Sequence, residues 1–191
     1  WEEHPKCDRT YVQRTLAQFL RTRNISLDRL KPTMSDDDEG WFSFAFKTGL
    51  LAPSSPEEAW QETAFHAFPL ECLASVLTHG LQPSSADRPG CRFETPGLYL
   101  LKGRDHSAAS YSRFVADGAG IFFRCTMECQ VNRNRLIPCK RQGQWLQPVG
   151  SWATVALWVQ AVPYENINNN EYLMPAWFPL LEVPTKGVFV C

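Results

Sequence analysis

A carboxylate in Asn170-Glu171-Tyr172, an imidazole in His66-Ala67-Phe68 and a phenol in Gly97-Leu98-Tyr99-Leu100 are the side chains of this chain most open to joint chemistry. Glu171 follows the asparagine-rich loop 165–170 and precedes the apolar run Trp177-Phe178-Pro179-Leu180-Leu181-Glu182-Val183. It therefore stands at the entrance to a short strand, where a carboxylate is free for chemistry instead of packing. Alone, the stretch is any loop-to-strand junction. The His66 and Tyr99 segments supply the partners that give it meaning.

The other reactive side chains point elsewhere. The seven cysteines, at 7, 72, 91, 125, 129, 139 and 191, contain no Cys-x-x-Cys pair, and the four histidines do not join them at zinc-like spacing. They read as buried free thiols of a reducing compartment, with Cys125 and Cys129 on one face of a strand-like run. Cys72 sits beside an inward-facing helix stripe, so packing explains it better than nucleophilic chemistry. Ser35-Asp36-Asp37-Asp38-Glu39-Gly40 reads as a solvated acidic loop or a helix start, and no metal is expected.

Elements must carry these groups. Residues 10–23 place Val12, Leu16, Phe19 and Leu20 at helical spacing, which predicts an amphipathic helix. Residues 41–46 alternate around aromatics, as a strand or an aromatic helical turn would, and Ser55-Pro56-Glu57-Glu58 has the form of a helix start. Residues 62–68 read as a strand bearing His66. Residues 69–79 read as a helix with Leu70, Leu73, Ala74 and Leu77 on one face and Gly80 as a left-handed terminator. Next come a turn-rich loop 82–96, a strand 97–101 and a helix 105–114. A strand 121–131, a basic loop 133–141 and a strand 151–161 follow, with last strands near Tyr172 and at 180–183.

With 191 residues, 44% of them apolar, the chain has material for one core and is not dominated by disorder. Nineteen basic and twenty acidic residues give a net charge of −1, which argues against a surface devoted to nucleic-acid phosphates or anionic membrane. No apolar run is long enough to span a bilayer, so no membrane partner is expected. The first residue is Trp, which suggests a domain of a larger chain or a processed product, with localisation expected to be intracellular, cytoplasmic or nuclear. The expected organisation is a helical extension over residues 1–60, packed on a main α+β domain over residues 61–191.

The order His66-Ala67-Phe68, a helix ending at His79-Gly80, Gly97-Leu98-Tyr99-Leu100, Ser107-Ala108-Ala109-Ser110-Tyr111 and Asn170-Glu171-Tyr172 resembles the catalytic domain of the poly(ADP-ribose) polymerase-like ADP-ribosyltransferases. The resemblance covers residues 62–183 and implies a split, strongly bent, mainly antiparallel β-sheet flanked by helices, with a His-Tyr-Glu triad and NAD as substrate. It implies that Glu171 stabilises the oxocarbenium-like ribose formed when nicotinamide departs, and orients an acceptor. Tyr99 and Tyr111 would wall the nicotinamide slot, although a core tyrosine with a satisfied hydroxyl competes for both. Either Ser107 or Ser110 would meet the carboxamide, because Ser-Ala-Ala-Ser-Tyr is one residue longer than the family's usual spacing.

The resemblance further implies that His66 holds an adenosine-ribose hydroxyl, and that the backbone of Ala67 reads the carboxamide. Ser84, Arg88, Arg92 and Lys102 would lie on loops facing the dinucleotide, or be plain solvated residues. Two departures stand out. Ala67 replaces the family's glycine, and its Cβ narrows the approach; Phe68 replaces a Thr or Ser whose hydroxyl touches NAD. The expected function is ADP-ribose transfer to a protein or nucleic-acid acceptor, or NAD hydrolysis. A degenerate module that keeps the fold without the activity is the alternative. An RNA-processing relative acting on a 2′-phosphate is disfavoured by the balanced charge and by Asn170-Glu171-Tyr172.

Overall fold

The computed structural model describes residues 8–25, 30–36, 40–46, 62–83, 97–117, 120–139, 143–148 and 152–163. In chain order the elements are α1 (Arg9–Arg21), β1 (Leu30–Asp36), β2 (Trp41–Phe46), β3 (Glu62–Phe68), a 3₁₀ turn (Leu70–Cys72) continuing into α2 (Leu73–His79), and β4 (Leu98–Leu101). There follow α3 (Arg104–Tyr111), β5 (Val115–Ala116), β6 (Ile121–Val131), a 3₁₀ turn (Arg133–Arg135), β7 (Ile137–Pro138), β8 (Gln144–Gln147) and β9 (Trp152–Pro163). The class is α+β, as expected, with a mainly antiparallel sheet.

One sheet contains all nine described strands, in the order β1-β2-β9-β6-β3-β4-β8-β7, with β5 pairing beside β6. Its centre is the long pair β6 and β9, which bulges between Glu128 and Cys129. Residues 30–46 differ from the helical extension expected of residues 1–60. Both segments are strands of the common sheet, because the alternating aromatics of β2 lie along β9 in the register Phe42↔Val159 and Phe44↔Leu157. Pro32 cannot donate to a ladder and is accommodated because β1 is an edge strand among the described residues.

The register separates two faces. Phe68 pairs with Cys125, which pairs with Val159, so these side chains leave the sheet together. They belong to the principal core with Val12, Leu16 and Leu20 of α1 and Leu73, Val76 and Leu77 of α2. Helix α1 starts where the Asp8 carboxylate accepts the Tyr11 N–H at 2.8 Å, and buries Val12, Leu16 and Leu20 at i, i+4, i+8. In α2, Val76 is buried where Ala74 was expected to face inward. Gly80 ends that helix at φ 76° but with ψ 178°, a conformation that favours glycine without being the left-handed helical one.

The opposite face carries Phe65, Glu128, Arg124, Gln160 and Trp41, linked by the pairs Phe65↔Glu128, Arg124↔Gln160 and Trp41↔Gln160. Helix α3 covers part of it. Asp105 accepts the Trp41 indole N–H at 2.7 Å, and Tyr111 meets Gln144 of β8. The expected strands near Tyr172 and at 180–183, and the helix start at Ser55, lie outside the described residues.

Candidate functional site

Strand β3 sits between β6 and β4, and this brings His66 to Tyr99. The imidazole Nδ1 lies 2.8 Å from the Tyr99 backbone oxygen. A carbonyl only accepts, so Nδ1 carries the proton and Nε2 presents its lone pair. Desolvation by the surrounding protein lowers the His66 pKa, and the bond to the Tyr99 carbonyl partly offsets it. The ring is neutral near pH 7 and stacks on Phe68, with centroids 6.3 Å apart and planes at 29°. A neutral, oriented imidazole with a free acceptor nitrogen can accept a hydrogen bond from a hydroxyl. That is a positioning role.

The phenol of Tyr99 takes another direction. The pair Phe65↔Leu101 puts Leu101, and with it Tyr99 two residues earlier, on the Phe65 side of the sheet, opposite the His66 ring. The two residues are therefore tied through the Tyr99 backbone, while their side chains leave opposite faces. The glycine of Gly97-Leu98-Tyr99 has its own cause. A Cβ at Gly97 would lie 2.4 Å from Leu146 Cδ1 and 2.7 Å from the Gln147 carbonyl oxygen, so glycine permits the close approach of β4 and β8.

Helix α3 closes the Phe65 side. The Ser107 hydroxyl, almost fully buried, donates to the Phe65 carbonyl at 3.1 Å, one residue before His66. Its oxygen lone pairs remain available to an N–H donor. Gln144 Nε2 donates to the Tyr111 hydroxyl at 2.6 Å, fixing that phenol against β8. Ala67 and Phe68 are both buried, Ala67 opposite Thr126 and Phe68 in the core. The structure thus gathers Ala67, Tyr99, Ser107 and Tyr111 on the Phe65 side of β3 and β4, and places the His66 ring on the opposite face, joined to them through the Tyr99 backbone. Glu171, Ser84, Arg88 and Arg92 lie outside the described residues. Lys102 is solvent-exposed with its Nζ 3.9 Å from Glu62 Oε1, a weak surface pair.

The cysteines divide. Cys125 and Cys129 are free thiols in the core, and burial pushes both pKa values well above the usual thiol range, so neither is a nucleophile. Cys72 is disulfide-bonded, which corrects the expectation of free thiols at that position. Sequence spacing carries no trace of such a pairing, because it depends on Cα positions brought together by the fold.

One constellation on the Phe65 side escaped the sequence reading. Arg124 is 6% exposed, its Nε donates to Gln160 Oε1 at 2.7 Å, and its guanidinium lies 4.6 Å from the Phe114 ring centroid and 5.7 Å from that of Trp41. Arg104 lies 4.7 and 4.9 Å from the Trp41 and Trp158 centroids, and the Trp158 N–H donates to Glu128 at 2.7 Å. Burial lowers the Arg124 pKa to about 10, with Asp105 opposing that shift and Arg104 adding to it. The Thr126 hydroxyl is buried between Arg124 and Glu128 on this face and has no hydrogen-bond partner among the described residues. The signal was available: Arg124, Thr126, Glu128 and Gln130 alternate as polar residues inside an otherwise apolar strand.

Among the described residues no three His, Cys, Asp or Glu side chains lie together as a metal site, and no helix is long and apolar enough to cross a membrane. Comparison with protein-family models and with curated proteins gives no match to this chain.

Proposed function

We propose that the chain is an NAD-dependent ADP-ribosyltransferase of the His-Tyr-Glu kind, built on an ADP-ribosyltransferase-like sheet. The observation that carries this reading is the convergence of three separated sequence motifs on β3, β4 and α3, with His66 bonded to the Tyr99 backbone and Ser107 bonded to the carbonyl preceding His66. In this reading His66, whose ring leaves the face opposite Tyr99, acts through its bond to the Tyr99 carbonyl and sets the position of β4. The Ala67 backbone and a serine of α3 hold the carboxamide, and Tyr99 and Tyr111 flank the nicotinamide ring. The bond from ribose C1′ to the nicotinamide nitrogen breaks, and its electron pair leaves with nicotinamide. Glu171 stabilises the positive charge on the ribose until an acceptor oxygen, from a macromolecule or water, bonds to C1′ and gives up its proton.

The test pairs nicotinamide release with calorimetric NAD binding. Wild type releases nicotinamide. Glu171→Gln lowers the rate about 100-fold or more, as removal of a preorganised electrostatic partner does, while NAD affinity stays within a few-fold. Wild-type turnover in that variant would show that Glu171 is not the catalytic carboxylate. Failure of the wild-type chain to bind NAD would remove the whole reading.

The burial of Ala67 and Phe68 favours a second reading, a nucleotide-binding or protein-interaction module that has lost the reaction. Its signature is heat of NAD binding with no nicotinamide release.

A further inference from the structure

We propose that a cavity of about 410 Å³ between α1 and strands β5, β6 and β9 binds a small aromatic molecule carrying one anionic group. The cavity shares no lining residue with the His66–Tyr99 region, and its size falls within the range of small-molecule pockets. Its floor is apolar, formed by Leu16 of α1, Leu70, Val115, Phe123 and Val159. Phe19 and Tyr11 add aromatic walls, so a flat apolar body is well accommodated.

The rim decides the charge. The Tyr11 hydroxyl donates to Asp117 Oδ2, while Asp117 Oδ1 accepts the Ile121 N–H at 3.2 Å. Both oxygens of the rim carboxylate are therefore engaged by protein donors. Arg14 differs. Its guanidinium lies 5.4 Å from the Tyr11 ring centroid, at the mouth of the cavity, and it forms no ion pair with any described residue. An aromatic carboxylate or sulfonate satisfies both requirements, its ring on the apolar floor and its anionic group on Arg14.

Fluorescence titration of the full chain with 1-anilinonaphthalene-8-sulfonate, alongside the neutral dye Nile red, tests this. The expected result is saturable binding of the sulfonate at one site, with an unchanged near-UV circular dichroism spectrum excluding a loosened core as the binder. Arg14→Ala weakens sulfonate binding about three- to fivefold, the scale of an exposed charged contact, and leaves Nile red binding unchanged. Thr15→Trp fills the cavity and removes both dyes; Ala116→Trp at the opposite wall does the same if the first variant does not fold. Non-saturating fluorescence, or full-affinity binding to the filled variant, overturns the site. Equal sulfonate affinity in wild type and Arg14→Ala overturns the anionic ligand class.

Discussion

Replacing Gly97 by Ala places one methyl group where two atoms already stand. Its Cβ falls 2.4 Å from Leu146 Cδ1 and 2.7 Å from the Gln147 carbonyl oxygen, both inside any tolerated contact with carbon. Leu146 is 4% exposed and has little room to turn, and the carbonyl belongs to the paired backbone of β8. Relief therefore requires β4 and β8 to separate. Overpacking of this kind typically costs about 1–3 kcal/mol, and the backbone obstacle puts Gly97→Ala at the upper end, about 2–3 kcal/mol. For a chain of this length that corresponds to a fall in Tm of roughly 4–12 °C. Urea unfolding followed by far-UV circular dichroism measures it. A second variant apportions the cost: Leu146→Ala removes the nearer obstacle and leaves the carbonyl, so the double variant should be more stable than additivity predicts. Gly97 directly precedes the strand whose Tyr99 carbonyl holds His66, so NAD-dependent activity should fall with stability. A Gly97→Ala chain within about 0.5 kcal/mol of wild type would refute the assigned cause of the glycine.

Ser107→Ala removes a buried hydroxyl donor from the Phe65 carbonyl and should cost about 1–2 kcal/mol in urea unfolding, with Ser107→Thr recovering part of it; no loss would separate α3 from the positioning of β3. Because His66 is harder to protonate in the folded chain than in the unfolded one, its contribution to stability is fully present above pH 6.5 and is lost as pH falls from there through its lowered folded value. His66→Gln should flatten the stability profile below about pH 6.5, and an unchanged acid limb would assign that loss to other groups. Cys72→Ser, or a reductant added to wild type, should lower stability by about 2 kcal/mol or more if the disulfide constrains the unfolded chain, which paired melts with and without reductant would reveal; identical melts would show that the cross-link does not stabilise the fold.

The parts legible in the sequence are those with period. Val12, Leu16 and Leu20 recur at four-residue spacing and declare α1, and the β-branched and aromatic runs of β3, β6 and β9 declare long strands. Strands β5 and β7 have two residues each and β8 has four, too few to establish an alternation. Trp41–Phe46 was readable as either strand or helical turn, and only its pairing with β9 resolves it. At the site, the residue types of His66, Tyr99, Ser107 and Tyr111 were visible as motifs. The link between His66 and Tyr99 was not, since it runs to a backbone carbonyl and leaves no mark on side-chain identity. The burial of Arg124 is not legible in its residue type, because a charged residue in a strand usually faces water, whereas here two aromatic rings and α3 cover it.

The strand order also sets a timetable for synthesis. The last described strand, β9, lies between β2 and β6, so Trp41 finds its partner Gln160 only after roughly 120 further residues have been made. Until then the aromatic edge of β2 has no neighbour on that side, while β3, β4, α3 and β6 can already assemble. The emerging chain would therefore hold the His66–Tyr99 region before it holds a closed sheet, and a ribosome stalled between Val131 and Trp152 should carry a protease-resistant middle with a cleavable amino-terminal arm. Exposed Trp41, Phe42 and Phe44 make that interval the period of greatest risk of aggregation, and the natural point for a chaperone to bind.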